Sequence, residues 1–282
     1  MSERVTITQS NGIADVRLNR PDKRNALDGA MFAALNEAGE SLKTAPGLRA
    51  VVLSGDGPSF CAGLDFSSFQ SMADGQGAGG DASAKAAGEK KERRGDPSVL
   101  PDGKIAHLGQ SAAWVWQEIP VPVIAAVHGH ALGGGIQIAL GADIRIVHPA
   151  TKLSVREVYW GLVPDMTGTL TLARLVRADI LRELVFTARV FSGTEAFEYG
   201  IATKLSDTPY DDAMKLADEI AGLSPDAVRG AKRLVNGLLN QGAAEQFAAE
   251  RSIIGSLIGS PNQIESVMSG LQKRPPKYED VS

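Results

Sequence analysis

An α/β domain is what this chain of 282 residues predicts, on three observations. Compact apolar stretches at residues 48–53 and 122–127 read as buried strands, and both end in glycine-containing turns. Helical spacing recurs in the stretch before the first of them. Past about residue 165 the pattern turns to helix. Strands that alternate with helices are the mark of this class.

Each element has its own signal. Residues 5–8 and 14–18 alternate apolar and polar side chains around Asn11-Gly12, the pattern of a hairpin. Asp28 is placed to cap a helix in which Met31, Phe32, Leu35, Ala38 and Leu42 recur at helical spacing. The strand at 48–53 is closed by the turn Ser54-Gly55-Asp56-Gly57-Pro58. Residues 142–147 and 152–155 complete the strand-like material. Further on, Val228, Ala231, Val235 and Leu238 share one face of a helix at 226–239. Ser260-Pro261-Asn262-Gln263 reads as a capping box with proline at the first helical position, leading into Ile264, Val267, Met268 and Leu271. Such helices either fold back on the core or pack against a partner subunit.

The chain thus divides into an α/β region at 1–205 and a helical region at 206–282. A stretch at 73–97, rich in Gly, Ala, Ser and Lys, has too little apolar surface to offset its ordering entropy and reads as a mobile insertion. Its Gly75-Gln76-Gly77-Ala78-Gly79-Gly80 matches the dinucleotide fingerprint in form only, because no strand precedes it and no helix follows.

Composition removes several function classes. The chain is 43% hydrophobic and 22% charged, as soluble globular proteins are. A net charge of -4 gives no footprint for nucleic-acid binding. One cysteine, Cys61, allows neither an internal disulfide nor a zinc site of clustered thiolates. No apolar run reaches membrane-spanning length, since Gly129, His130, Gln137 and Asp143 break the best one. The opening MSERVTITQS resembles neither a signal nor a transit peptide, so the expected location is the cytoplasm.

Three stretches carry chemistry. In Val127-His128-Gly129-His130-Ala131-Leu132-Gly133-Gly134-Gly135 a buried strand runs into a triple glycine, and an apolar helix follows. Glycines there let a ligand approach the exposed N–H groups at the positive end of the helix. Gly57-Pro58-Ser59-Phe60-Cys61-Ala62-Gly63-Leu64-Asp65 also bends at small residues after a strand. Two such turns could converge on one developing oxyanion, where each donor contributes about 3 kcal/mol. The third, Arg156-Glu157-Val158-Tyr159-Trp160-Gly161-Leu162-Val163-Pro164-Asp165, sets Glu157 among apolar neighbours, which raises a carboxyl pKa and suits a general base.

Together with Arg20-Pro21-Asp22-Lys23-Arg24-Asn25-Ala26-Leu27, these stretches resemble the crotonase (enoyl-CoA hydratase/isomerase) superfamily in order and spacing. The resemblance covers nearly the whole chain outside 73–97. It implies a crotonase-like spiral of ββα turns with a helical C-terminal region that builds trimers or hexamers. It also implies an acyl-coenzyme A substrate and no cofactor or metal beyond the substrate's own coenzyme A moiety. The backbone N–H groups of Leu64 and Gly134 would form the oxyanion hole. Lys23, Arg24, Ala26 and Ala62 match positions that cradle the nucleotide end. Gly133, Gln137 and Trp160 are expected to contact substrate nearby, and Lys273 or Arg274 to add a phosphate contact.

One position departs from the pattern. Hydratases of the superfamily hold the attacking water between two glutamates, and Gln137 stands where the first should be. An amide can orient water but supplies no proton at a useful pKa. Glu157 matches the second glutamate. Asp165 matches an aspartate of the dienoyl-CoA isomerases, which makes Glu157 and Asp165 the expected catalytic pair. The resemblance therefore favours isomerisation, with hydration or a non-catalytic acyl-CoA binder as alternatives. His128 and His130, two apart, would share a strand face; Trp114 and Trp116 are candidates for an acyl-tail pocket or for helix packing.

Overall fold

The computed structural model describes residues 4–66, 68, 105–238, 256 and 260–280. The expected insertion at 73–97 lies outside the described residues.

The N-terminal hairpin forms as read. Strands β1 (Val5–Ser10) and β2 (Ile13–Leu18) pair antiparallel with Ser10 opposite Ile13. The turn residues Asn11 and Gly12 take φ of 52° and 78°, the backbone that a two-residue hairpin turn needs. Helix α1 (Gly29–Lys43) starts where its cap predicts: Asp28 accepts a 2.8 Å hydrogen bond from the Met31 amide. The face carrying Met31, Leu35, Ala38 and Leu42 is buried.

Strands β3 (Ala50–Gly55), β4 (Val123–Val127), β6 (Ile144–Val147) and β9 (Lys204–Leu205) extend the hairpin into a six-stranded sheet in the order β1-β2-β3-β4-β6-β9, parallel from β2 onward. A smaller sheet stacks β5 (His130–Leu132), β7 (Lys152–Ser154) and β8 (Phe191–Ser192). The chain climbs by repetition: β4 feeds β5 and β6 feeds β7, and the partners in each sheet are parallel. Cys61, downstream of β3, pairs in parallel with Ala131 of β5, so the turn before repeats the arrangement. This is the spiral of ββα turns that the resemblance implies.

Alternation along the central strands decides what covers each face. Val51 and Leu53 of β3 join the main core, where α2 (Leu108–Glu118) packs against both α1 and α3 (Gly134–Leu140). Ala50 and Val52, with Ile124, Ala126 and Ile146, face the other way against Ala213 and Ala217 of α7 (Pro209–Ala221). The helices between are α4 (Gly168–Ala173), α5 (Ala178–Thr187) and α6 (Gly193–Glu198). Since α7 lies past residue 206, the C-terminal region begins as a layer of the core.

The next two helices also fold back. In α8 (Pro225–Gly237), the buried Lys232 Nζ donates to Trp116 O (3.2 Å), Val121 O (2.9 Å) and Asp143 Oδ2 (2.7 Å). At the start of α9 (Pro261–Gln272), Ser260 Oγ accepts from the Gln263 amide, half of the expected capping box. Asn262 donates to Asp226 Oδ2 at 2.8 Å, and Asp280 pairs with Arg49 at 3.0 Å. Among the described residues no helix is long and apolar enough to cross a membrane, and no group of three or more metal-ligating side chains occurs.

Replacing Lys232 by Met keeps the packed stem but strands two carbonyls and leaves the Asp143 charge half-buried. The K232M variant should lose about 3 kcal/mol of stability, read as a lower denaturant midpoint; an unmoved midpoint would contradict the bridging role.

Candidate active site

The site is assembled from main chain before any side chain enters. The segment after β3 lies along the segment after β4 through three hydrogen bonds: Phe60 N to His128 O (2.9 Å), Cys61 N to His130 O (2.9 Å) and Leu132 N to Cys61 O (3.1 Å). At Gly63 (φ 87°) the approach is so close that a Cβ would sit 2.5 Å from Leu132 O. Leu64 bridges in parallel to Leu27; the Leu27 amide donates to Gly63 O and the Asp65 amide to Leu27 O. The Leu64 N–H between them therefore points away from that partner. On the neighbouring segment Gly133 (φ 51°, ψ -121°) turns the chain into α3, and Gly134 supplies the first N–H of the helix, one of the groups without an intrahelical acceptor. An ion pair fixes the first bend: Arg20 NH1 lies 2.6 Å from Asp65 Oδ2 and donates to Ala26 O.

Glu157 opens a 3₁₀ turn, Glu157–Trp160, and is 9% exposed. Its Oε1 lies against Gly133, where a Cβ would stand 3.2 Å away. The same oxygen accepts a 2.6 Å hydrogen bond from Gln137 Nε2. The orientation of that amide follows from its other end, since Gln137 Oε1 accepts from the amides of Met166 (3.0 Å) and Gly168 (2.9 Å), which can only donate. Glu157 Oε2 is buried without a hydrogen-bond partner among the described residues. Burial pushes the Glu157 carboxyl above the ordinary range and the Asp165 charge adds to it, opposed by Gln137 and the backbone amides of Glu157 and Arg156.

Gln137 and Asp165 differ in their burial. Gln137, expected at the substrate, is fully buried, and its amide is spent on Glu157 and on the turn at 166–168. Asp165 comes close enough for its charge to be felt at Glu157, but it is exposed to solvent.

Several of the remaining candidates lie on the turns next to these groups. Lys23 and Arg24 are exposed on and just after a 3₁₀ turn at Pro21–Lys23, and Ala26 is buried. The Ala62 amide donates to Arg24 O at 2.9 Å. Trp160 packs edge-to-face on Tyr159 (5.1 Å) and on Phe66 (6.0 Å), joining the turn that carries Glu157 to the one that carries Leu64. His128 and His130 do not form a strand pair: Gly129 at φ 63° separates them, β4 ends before His128, and β5 begins at His130. Arg24 lies 3.3 Å from His130 Nε2 and can only donate, so Nδ1 carries the proton toward Ser59 Oγ at 2.9 Å. Burial and the charges of Arg24 and Lys152 hold the His130 pKa low. Arg274 is held by both carboxylate oxygens of Glu265 (2.5 and 2.8 Å), and Trp116 is a core residue bonded to Ala112 O.

Two contributors escaped the sequence reading. Asn25 sits in the left-handed region (φ 57°); its Nδ2 donates to Asp56 O and Ser59 O, and its Oδ1 accepts from the Arg20 amide. Asparagine tolerates that conformation, which was the available signal. Nothing in the sequence marks Thr167 (φ 66°) as the centre of the turn that grips Gln137.

Cys61 is fully buried, its thiol donates to Asn25 O, and burial pushes its pKa up to about 12. It should resist iodoacetamide at pH 8 in the native protein and react fully after denaturation; fast native labelling would show that this turn opens.

Comparisons with known proteins agree with this architecture. The family model described as "Enoyl-CoA hydratase/isomerase" matches residues 13–281. A Mycobacterium bovis protein named "Probable enoyl-CoA hydratase echA6" is 31% identical over 278 residues, covering 98% of this chain and 99% of its own. The mouse mitochondrial methylglutaconyl-CoA hydratase is 30% identical over 278 residues, covering 96% and 81%. The crystal structure of enoyl-CoA hydratase EchA1 from Mycobacterium marinum superposes with a TM-score of 0.80 at 27% identity, covering 98% and 99%. A ββα spiral, and a sequence match that runs through every segment of the site, place this chain in the enoyl-CoA hydratase/isomerase family of the crotonase superfamily, as an enzyme of that family.

Proposed function

We propose that this protein moves a double bond along the acyl chain of an unsaturated coenzyme A thioester, with Glu157 as the base. The observation that carries the reading is the division of labour within one carboxylate. Oε1, beside Gly133, is held by an amide that cannot titrate, and Oε2 is buried and unpartnered among the described residues. With a 3-enoyl thioester bound, Oε2 takes a proton from C2, electrons shift toward the thioester oxygen, and the proton returns at C4 to leave the 2-enoyl product. One proton leaves and one arrives, so one carboxylate suffices. The negative charge on the thioester oxygen falls to the amides of Leu64 and Gly134, whose turns are hydrogen-bonded side by side.

Asp165 extends the reading to a conjugated diene, where the proton returns at C6, farther than Glu157 reaches. Its exposure on the open side, close enough to influence Glu157, supports that second role. The exposed Lys23 and Arg24 suit the phosphates of the coenzyme. Oligomerisation into trimers or hexamers is supported by the exposed apolar residues Ile264, Val267 and Met268 of α9. The mass in solution should be three or six times that of the chain, and a monomer by light scattering would refute it.

Water addition to a 2-enoyl thioester is the second reading, favoured by the relatives named enoyl-CoA hydratase and methylglutaconyl-CoA hydratase. Against it stands Gln137, which offers no acid or base.

Assaying 3-enoyl, 3,5-dienoyl and 2-enoyl thioesters side by side separates these readings. Glu157→Gln should cost about 10²–10⁴-fold in isomerisation, and Asp165→Asn should slow only the diene. The wild-type rate should rise with pH through an ionisation above the usual glutamate range, because the ionised base is the active form. Rapid hydration that survives Glu157→Gln would overturn the assignment.

A further inference from the structure

We infer that Gln137 is a positioning residue that makes Glu157 a one-oxygen base, and that its amide, not merely its size, is what the site requires. The inference rests on Glu157 being the base as proposed above. Gln137 has no exposed surface, so it acts only through what it holds. One end grips Glu157 Oε1 at 2.6 Å; the other is gripped by Met166 and Gly168 on either side of the left-handed Thr167. The fit is close, since a Cβ on Gly168 would lie 2.5 Å from Gln137 Oε1. Three separate stretches are thereby locked: the start of α3, the turn of Glu157 and the segment that follows Asp165.

The chemistry of the pair depends on its being amide against carboxylate. A carboxylate at position 137 would still accept from Met166 and Gly168, so the turn would survive. Toward Glu157 it would set oxygen against oxygen at hydrogen-bond distance, and the two groups would have to share one proton. The other charges facing Glu157 are few. Among the described residues Asp165 is the further acid felt there, and the Arg156 guanidinium is turned away onto the Tyr159 ring (3.8 Å) and Ala188 O (2.7 Å). Arg156, the cation next to Glu157 in the chain, is therefore not placed to neutralise a second carboxylate.

Gln137→Glu tests this with two readouts. In kinetics, kcat for the 3-enoyl thioester at pH 6 should fall at least about tenfold, one unit of displaced ionisation, with KM unchanged and the rate recovering toward pH 9. In thermal unfolding without substrate, the folded variant holds a shared proton that the unfolded chain releases, so its melting temperature should fall relative to wild type as pH rises from 5 to 9. Adding Glu157→Gln to Gln137→Glu restores one amide and one carboxylate with their places exchanged, and should restore the melting temperature but not the activity. A Gln137→Glu variant whose rate profile and melting both follow wild type would overturn the inference. If wild type fails to isomerise, or keeps its rate in Glu157→Gln, the functional reading falls while the melting comparison still judges the clamp.

Discussion

Backbone hydrogen bonds between the segment after β3 and the segment after β4 are what the rest of this molecule depends on. They put two chain reversals, about seventy residues apart, side by side at one end of the sheet. The spiral makes this possible because each turn delivers its strand parallel to the last, so successive turns bend at the same edge. Main-chain N–H groups at such bends are fixed by the fold and need no side chain, which explains why small residues dominate both loops. The ion pair of Arg20 with Asp65 and the three hydrogen bonds of Asn25 are the braces that keep the first bend in place.

Electrostatics complete what the backbone begins. Glu157 is drawn into an apolar surrounding that disfavours its charge, and only a neutral amide and a few backbone dipoles compensate. A second carboxylate in the position of Gln137 would raise that cost, whereas the amide lowers it and remains fixed through the titration. Asp165, set in solvent, perturbs Glu157 without sharing its burial. The two carboxyls are thus asymmetric, one enclosed and one open to water.

Several local features were legible because their physics is local. The Asn11-Gly12 hairpin, the Asp28 cap and the apolar face of α1 each depend on residues within a turn or two of one another, whereas α8 buries Lys232 and leaves Ala231, Val235 and Leu238 of its apolar face exposed. The motif that includes Glu157 was legible too, as a carboxylate among apolar neighbours. The sequence reading erred where two distant segments meet. It took His128 and His130 as one strand face, since a positive φ at Gly129 carries no tertiary warning; the grip of the Met166 and Gly168 amides on Gln137 was equally out of sight, because it cannot be seen from thirty residues away.

By itself, then, the order of residues determined the elements, their caps, the glycine bends and the family to which the whole belongs. Those follow from dihedral preference, hydrophobic period and spacing, all properties of neighbouring residues. Only the tertiary structure decided which oxygen of Glu157 is free, what Gln137 holds, and that α7 seals the second face of the sheet. A hydrogen bond needs its partners within about 3 Å and in line, and no spacing in a linear sequence supplies that geometry until the chain has closed around its core.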